Sequence, residues 1–86
     1  MKRWTLENKK AVVTGGTKGI GKAIAEKLLA FGAEVLVVAR NEKDISELLD
    51  IWDEKGFNAY GIAADTSTNL GRKKLFEKVD YLWSNL

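Results

Sequence analysis

The feature that most constrains the fold of this chain is a glycine-rich segment, TGGTKGIG, at residues 14–21. It follows a short β-branched run at residues 10–14 and precedes a stretch in which apolar residues recur at helical spacing from Ile20 to Phe31. A turn from strand into helix presents the free backbone N–H groups of the helix N-terminus to an anion. Glycines there permit positive φ and let a phosphate approach the backbone. The segment predicts a phosphate-binding turn, with a tight turn that holds no ligand as the alternative.

The rest of the chain repeats this alternation of strand and helix. Strands are predicted at about residues 10–14, 34–39 and 58–63, and helices at about 20–31, 42–55 and 68–86. The second strand is continuously apolar after Glu34, which is typical of a strand covered by helices on both faces. Asn41 is a predicted N-cap for the second helix, and Ser67 or Thr68 for the third. The order β-α-β-α-β-α predicts an α/β fold with a parallel sheet and right-handed crossovers.

Apolar residues at helical spacing define the predicted core. The stripe of the first helix consists of Ile20, Ile24, Leu28 and Phe31, with Ala23 and Leu29 beside it. Trp52 lies on the stripe of the second helix, and Phe76 and Trp83 lie on that of the third. These aromatic residues could instead form a stacking platform for bases, but their helical spacing favours packing against the sheet.

Composition excludes several classes of function. The 86 residues include no Cys and no His, so a disulfide framework, a thiolate nucleophile, imidazole catalysis and a Cys- or His-based metal site are excluded, and no metal site is predicted. The net charge of +2 comes from interspersed charges of both signs, which predicts no nucleic-acid partner. No apolar run approaches the ~20 residues of a membrane span. Without a secretion signal or cysteine, the sequence favours a cytoplasmic protein.

Two phosphate-binding motifs compete for the glycine-rich segment. The spacing from Gly16 to Lys22 matches GxxxxGK[ST], but Ala23 stands where that motif needs a hydroxyl group to bind Mg²⁺. The nucleotide-hydrolase interpretation therefore lacks a chemically necessary atom. The motif that is complete is TGxxxGxG, over residues 14–21.

This motif resembles the nucleotide-binding loop of the short-chain dehydrogenase/reductase family, and the chain looks most like the tropinone-reductase-like branch. The resemblance extends to VARN at residues 38–41, to residues 52–56 and to ADTS at residues 64–67. It implies a Rossmann-type, doubly wound parallel sheet with strand order 3-2-1. The chain would be a single, partial NADP-binding domain over residues 1–86.

The resemblance also implies a set of cofactor-binding residues: Gly15, Thr17, Lys18, Gly19, Ile20, Gly21, Arg40, Asn41, Asp65 and Thr66. Asp65 would accept a hydrogen bond from the adenine amino group, and the backbone of Thr66 would line the same pocket. The alternative for Asp65 is a turn or cap residue before the third helix.

Cofactor choice follows from the charge at the end of the second strand. An NAD enzyme needs an acid there for the ribose 2′-OH, whereas a 2′-phosphate needs a cation. Here Ala39 is followed by Arg40, whose planar fork can bind a phosphate through two hydrogen bonds. The resemblance gives Lys18 the same role. The sequence therefore predicts NADP(H) in preference to NAD(H), the alternatives being a surface salt bridge for Arg40 and a solvated side chain for Lys18.

The catalytic residues of the family are not found in this sequence. Family chemistry uses a Tyr with a Lys four residues later, but Tyr60 is followed at that distance by Ala64 and Tyr81 by Asn85. No catalytic residue is predicted. The chain is interpreted as the N-terminal nucleotide-binding part of an NADP(H)-dependent oxidoreductase acting on a carbonyl or secondary alcohol. The alternative is a non-catalytic nucleotide-binding or assembly module.

The implied strand order also predicts a partner. In the order 3-2-1-4 the first strand is central, so without a fourth strand the run Ala11–Val13 forms an exposed apolar edge. We expect self-association through this edge, or pairing with the remaining part of the same enzyme.

Overall fold

Six elements alternate along the chain in the computed structural model, which describes residues 9–15 and 17–83. They are β1 (Lys10–Thr14), α1 (Gly19–Ala30), β2 (Glu34–Ala39), α2 (Glu42–Glu54), β3 (Ala59–Ala63) and α3 (Asn69–Leu82). The strands form a parallel sheet in the order β1-β2-β3, which is the predicted order 3-2-1 read from the opposite edge. The predicted α/β class and Rossmann-type topology are confirmed.

The central strand β2 organises the core. Its residues Val35, Leu36, Val37 and Val38 are all buried. Val35 and Val37 belong to a cluster with residues of α1 and α2, namely Ala25, Leu29, Leu48 and Trp52. Leu36 and Val38 pack with Trp83 and residues of α3 on the opposite face. The continuous apolar run of β2 is thus explained by helices on both faces of the sheet.

Local sequence signals account for the ends of the helices. Asn41 caps α2 by accepting hydrogen bonds from the backbone N–H groups of Lys43 and Asp44. Thr68 caps α3 through the N–H group of Gly71. Gly56, which follows α2, has a φ of 76°, a left-handed conformation that favours glycine.

Two core predictions on α1 and α3 are wrong. On α1 the side chains of Ile20 and Ile24 are exposed, whereas Ala25 and Leu29 are buried, so the helix is rotated away from the predicted stripe. The small side chain of Ala25 lets α1 approach the sheet closely. Phe76 on α3 is 68% exposed instead of packed against the sheet.

The position of α3 explains the exposure of Phe76. Leu75 and Val79 pack against the β2–β3 face, and Phe76 lies about 100° around the helix from Leu75 and about 60° from Val79. The helix ends at Leu82 rather than at residue 86, and residues 84–86 lie outside the described part of the chain. Trp83 leaves the helical conformation with φ −134° and ψ 57° and is buried.

None of the helices in residues 9–15 and 17–83 combines the length and the apolar character needed to cross a bilayer.

Candidate functional site

The predicted site residues follow the carboxyl ends of the three parallel strands. Gly15 comes directly after β1, Arg40 directly after β2, and Asp65 two residues after β3. The register pairs Thr14 with Val38 and Ala39 with Ala63, so these ends lie at one edge of the sheet. Ligands of open α/β sheets bind outside this edge.

Backbone conformation in the turn after β1 requires glycine. Gly15 has a φ of 70° and Gly19 a φ of 57°. The N–H group of Gly15 donates to the carbonyl oxygen of Val38 at 2.7 Å, which ties the start of the turn to the end of β2. A Cβ atom built at either glycine has no other group within 4 Å, so the space beside the turn is open. Gly16 lies outside the described residues.

The N-terminus of α1 is suited to an anion. Within the described residues no side chain caps this helix, and its first turn contains no acid. Gly19, Ile20 and Gly21 form that first turn, and the side chain of Ile20 is 80% exposed. Free backbone N–H groups and the helix dipole both favour a negative charge here. Thr17, just before this turn, is half-buried.

Arg40 and Asp65 form an ion pair at this edge. The Nε atom of Arg40 lies 3.8 Å from Oδ1 of Asp65, and the Arg40 side chain is 78% exposed. Ser67 donates two hydrogen bonds to the same oxygen, from its hydroxyl at 2.6 Å and its backbone N–H at 2.9 Å. These two hydrogen bonds lower the pKa of the Asp65 carboxyl, burial opposes them in part, and the Arg40 cation adds the smallest lowering effect. Asp65 is therefore held as an anion.

Lys18 and Asp44 form a second ion pair. The Nζ atom of Lys18 lies 3.6 Å from Oδ2 of Asp44, which belongs to the first turn of α2. The pair spans a crevice of about 180 Å³ between the glycine turn and α2, whose lining includes Thr17, Lys22 and Glu47. Because Asp44 is three residues beyond Asn41, this pair connects the glycine turn to the segment that carries Arg40.

Asn41 and Thr66 are engaged within the protein. The side-chain oxygen of Asn41 caps α2 and accepts from two backbone N–H groups. The carbonyl oxygen of Thr66 accepts a 2.9 Å hydrogen bond from the guanidinium of Arg72. Both residues thus fix the backbone of the segments after β2 and β3.

Four residues that shape the site were not predicted as site residues from the sequence, although Ser67 and Thr68 were alternative caps for α3: Asp44, Ser67, Thr68 and Gly71. Thr68 donates to the carbonyl oxygen of Asp65 at 2.9 Å and caps α3, so the turn is tied to the helix. Gly71 lies so close to the backbone of Asp65 that a Cβ atom at Gly71 would overlap the Asp65 carbonyl oxygen. The spacing from Asp65 to Ser67 is typical of a side chain that closes its own turn, a signal available in the sequence. The Lys18–Asp44 pair joins separate elements and has no such local signal.

Known proteins resemble this chain in sequence. The profile of the family described as short chain dehydrogenase matches residues 9–86. A tropinone reductase homolog of Datura stramonium is 46% identical over 78 residues, covering 91% of this chain and 29% of that protein. The chain therefore spans about 30% of the length of such relatives.

Solved structures show the same architecture. The L-sorbose reductase of Gluconobacter frateurii, complexed with NADPH and L-sorbose, superimposes with a TM-score of 0.85 at 34% identity, covering 91% of this chain and 30% of that one. A short chain dehydrogenase/reductase of Burkholderia phymatum in complex with NAD gives a TM-score of 0.81 at 25% identity, covering 94% and 28%. On its sequence, its fold and its glycine turn, the chain belongs to the short-chain dehydrogenase/reductase family.

Proposed function

We propose that this chain binds the adenosine and pyrophosphate end of NADP(H). The observation that carries the proposal is Arg40, an exposed cation directly after β2, preceded by Ala39 rather than by an acid. Lys18 supplies a second cation from the glycine turn. A ribose 2′-phosphate is favoured by such cations, whereas the 2′-OH of NAD(H) is bound by a carboxylate at the end of this strand.

The turn residues fit the rest of the nucleotide. The uncapped first turn of α1, Gly19 to Gly21, would accept the pyrophosphate on its backbone N–H groups. The open space at Gly15 and Gly19 leaves room for close approach of that group. Asp65 would accept from the adenine amino group, with Thr66 beside it. Ile20, exposed at the start of α1, would cover the nucleotide, and Thr17 and Asn41 would hold the two flanking turns.

The solved relatives support a bound dinucleotide, but they differ in whether it carries a 2′-phosphate. The choice between the two cofactors therefore rests on this chain's own residues. The L-sorbose reductase structure contains NADPH, and the Burkholderia phymatum structure contains NAD. The Arg40–Lys18 pair of cations is the reason that we assign NADP(H) here.

We further propose that this site serves an oxidoreductase acting on a carbonyl or secondary alcohol, as in the tropinone-reductase-like branch. The nicotinamide would supply the hydride, and this chain's residues would bind and orient the opposite end of the cofactor. No residue of this chain is assigned a catalytic role. The second candidate, a non-catalytic nucleotide-binding or assembly module, rests on the absence of a Tyr-Lys pair at four-residue spacing in the sequence. A cytoplasmic location stays a prediction from composition.

Calorimetric titration with two adenosine nucleotides tests the assignment. We expect 2′,5′-ADP to bind more tightly than 5′-AMP, and Arg40→Ala to abolish that preference. Loss of a charge-assisted contact to phosphate corresponds to about 10-fold or more in affinity. Lys73→Ala, which removes a positive charge from an exposed position on α3, is the matched control and should keep the preference. Equal binding of both nucleotides by the unmodified chain would reject NADP(H).

The edge of β1 is proposed as a pairing surface. Within the described residues β1 pairs only with β2, and Val12 on it is 43% exposed. Ile20 and Ile24 add exposed apolar area on α1, which packs against the same strand. An unpaired apolar edge favours strand addition, from a second copy of this chain or from the C-terminal part of the same enzyme.

A further inference from the structure

Both cations assigned to the 2′-phosphate already have an acidic partner. Arg40 contacts Asp65, whose carboxylate has a separate role in the proposed function, as the acceptor for the adenine amino group. Lys18 contacts Asp44, and nothing in the proposed nucleotide site uses that carboxylate. The Asp44 side chain is 32% exposed, whereas that of Lys18 is 82% exposed. Asp44 is thus the better fixed partner, and Lys18 is the one free to turn toward a ligand.

The position of Asp44 is set by the backbone of α2. Its N–H group donates to the Asn41 side chain at 3.1 Å, so the residue is part of the capped first turn of the helix. Arg40 directly precedes Asn41 in the same segment. A carboxylate fixed here faces the glycine turn through Lys18 and lies close along the chain to the cation expected to bind the phosphate.

We propose that Asp44 is an internal counter-ion that competes with the ribose 2′-phosphate for Lys18. It thereby limits the preference of this chain for NADP(H) over NAD(H). The inference rests on the proposed function and deepens it. Without nucleotide, Lys18 is paired with Asp44. With a 2′-phosphate bound, Lys18 exchanges its carboxylate partner for the more highly charged phosphate. A nucleotide with a 2′-OH offers Lys18 no such partner and leaves the Lys18–Asp44 pair intact.

Substitution of Asp44 by Asn keeps the size of the side chain and removes its charge. We expect Asp44→Asn to bind 2′,5′-ADP about two- to fivefold more tightly, the range of an exposed ion pair, and to bind 5′-AMP unchanged. In a Lys18→Ala background the same substitution should have much less effect, because the competition acts through that lysine. Asp44→Glu keeps the charge and should bind 2′,5′-ADP as the unmodified chain does.

Asp50→Asn is the matched control, because it removes an identical charge from an exposed position on the same helix. Calorimetric titrations of both nucleotides at low and at moderate salt give the comparison, and the gain in Asp44→Asn should shrink as salt rises. A 2′,5′-ADP affinity that is unchanged or weaker in Asp44→Asn overturns the inference. So does an equal gain for both nucleotides, an equal gain in Asp50→Asn, or a full gain without Lys18.

The same titrations separate this inference from the function on which it rests. If the unmodified chain binds the two nucleotides equally, the NADP(H) assignment itself fails. If it prefers 2′,5′-ADP and Asp44→Asn leaves that preference unchanged, only the competing role of Asp44 fails.

Discussion

At the scale of single residues, Asp65 connects three parts of the candidate site through its side chain and its backbone. Its carboxylate accepts from Ser67 and pairs with Arg40, and its carbonyl oxygen accepts from Thr68. The turn after β3, the end of β2 and the start of α3 are therefore connected through one residue. A nucleotide that contacts Asp65 would be contacting a group already fixed in place.

The lowered pKa of Asp65 predicts a pH dependence of stability. Because the folded state favours the charged carboxylate, Asp65 stabilises the fold at pH values above its ordinary pKa of 3.8. This contribution is lost as pH falls through the lowered pKa. Asp65→Asn keeps an acceptor for Ser67 but removes the charge. Thermal unfolding followed by circular dichroism should give a lower Tm for Asp65→Asn at pH 6 and a difference that closes in acid. Asp50→Asn serves as the control, and a difference that stayed constant with pH would contradict this origin.

Gly71 predicts a cost of adding a single methyl group. A Cβ atom at this position would overlap the Asp65 carbonyl oxygen, which is backbone and cannot move without shifting the turn. Gly71→Ala should lower the free energy of unfolding by about 1 to 3 kcal/mol in urea titrations. It should also weaken 2′,5′-ADP binding, since Asp65 moves with the turn. Lys73→Ala, at an exposed position on the same helix, should change stability by less than about 0.5 kcal/mol.

At the scale of elements, α3 shows how a helix with a broad apolar face meets a narrow sheet. Leu75, Val79 and Leu82 pack over β2 and β3, while Phe76 remains outside that contact. Trp83 reaches the sheet because the backbone leaves the helix, and its ring meets Tyr60 edge-on with centroids 6.4 Å apart. Two aromatic residues on one apolar stripe thus have opposite environments.

This contrast predicts unequal effects of truncation. Trp83→Ala removes a buried ring and should cost about 3 to 5 kcal/mol of unfolding free energy, enough to unfold a small domain. Phe76→Ala removes an exposed ring and should change stability by about 0.5 kcal/mol at most. Urea titrations followed by circular dichroism compare the two variants, and similar losses in both would mean that α3 packs as the sequence alone suggested.

The sequence was sufficient for the order of elements and insufficient for their rotation. The apolar run of β2 and the glycine turn are local signals, so the parallel α/β sheet and the position of the site could be predicted. The outward face of α1 could not, because both Ile24 and Ala25 are apolar and the choice depends on how closely the helix approaches the sheet. The Lys18–Asp44 and Arg40–Asp65 pairs likewise depend on three-dimensional placement, which periodicity does not encode.

At the scale of the whole molecule, the β1 edge predicts reversible self-association. Val12 lies at the middle of this strand and is partly exposed, so Val12→Lys places a charge on the pairing surface without disturbing the buried cluster. Sedimentation velocity should give a mass that rises with concentration for the unmodified chain and a monomer for Val12→Lys. Ser46→Lys is the matched control, because it adds the same charge at an exposed position on α2. It should associate as the unmodified chain does. A monomer at high micromolar concentration for the unmodified chain would exclude pairing between copies.

The register of the sheet has a consequence for the order in which the molecule assembles. Lys10 pairs with Glu34 and Val35 with Ala59, so both crossover units close loops of 24 residues. Loop-closure entropy therefore favours neither unit, and the side chains that each crossover helix contributes decide between them. Helix α2 contributes Ile45, Leu48 and the fully buried Trp52, whereas α1 contributes Ala25 and Leu29. We expect the β2-α2-β3 unit to form first and the backbone amides of β2, shared by both units, to exchange last with deuterium.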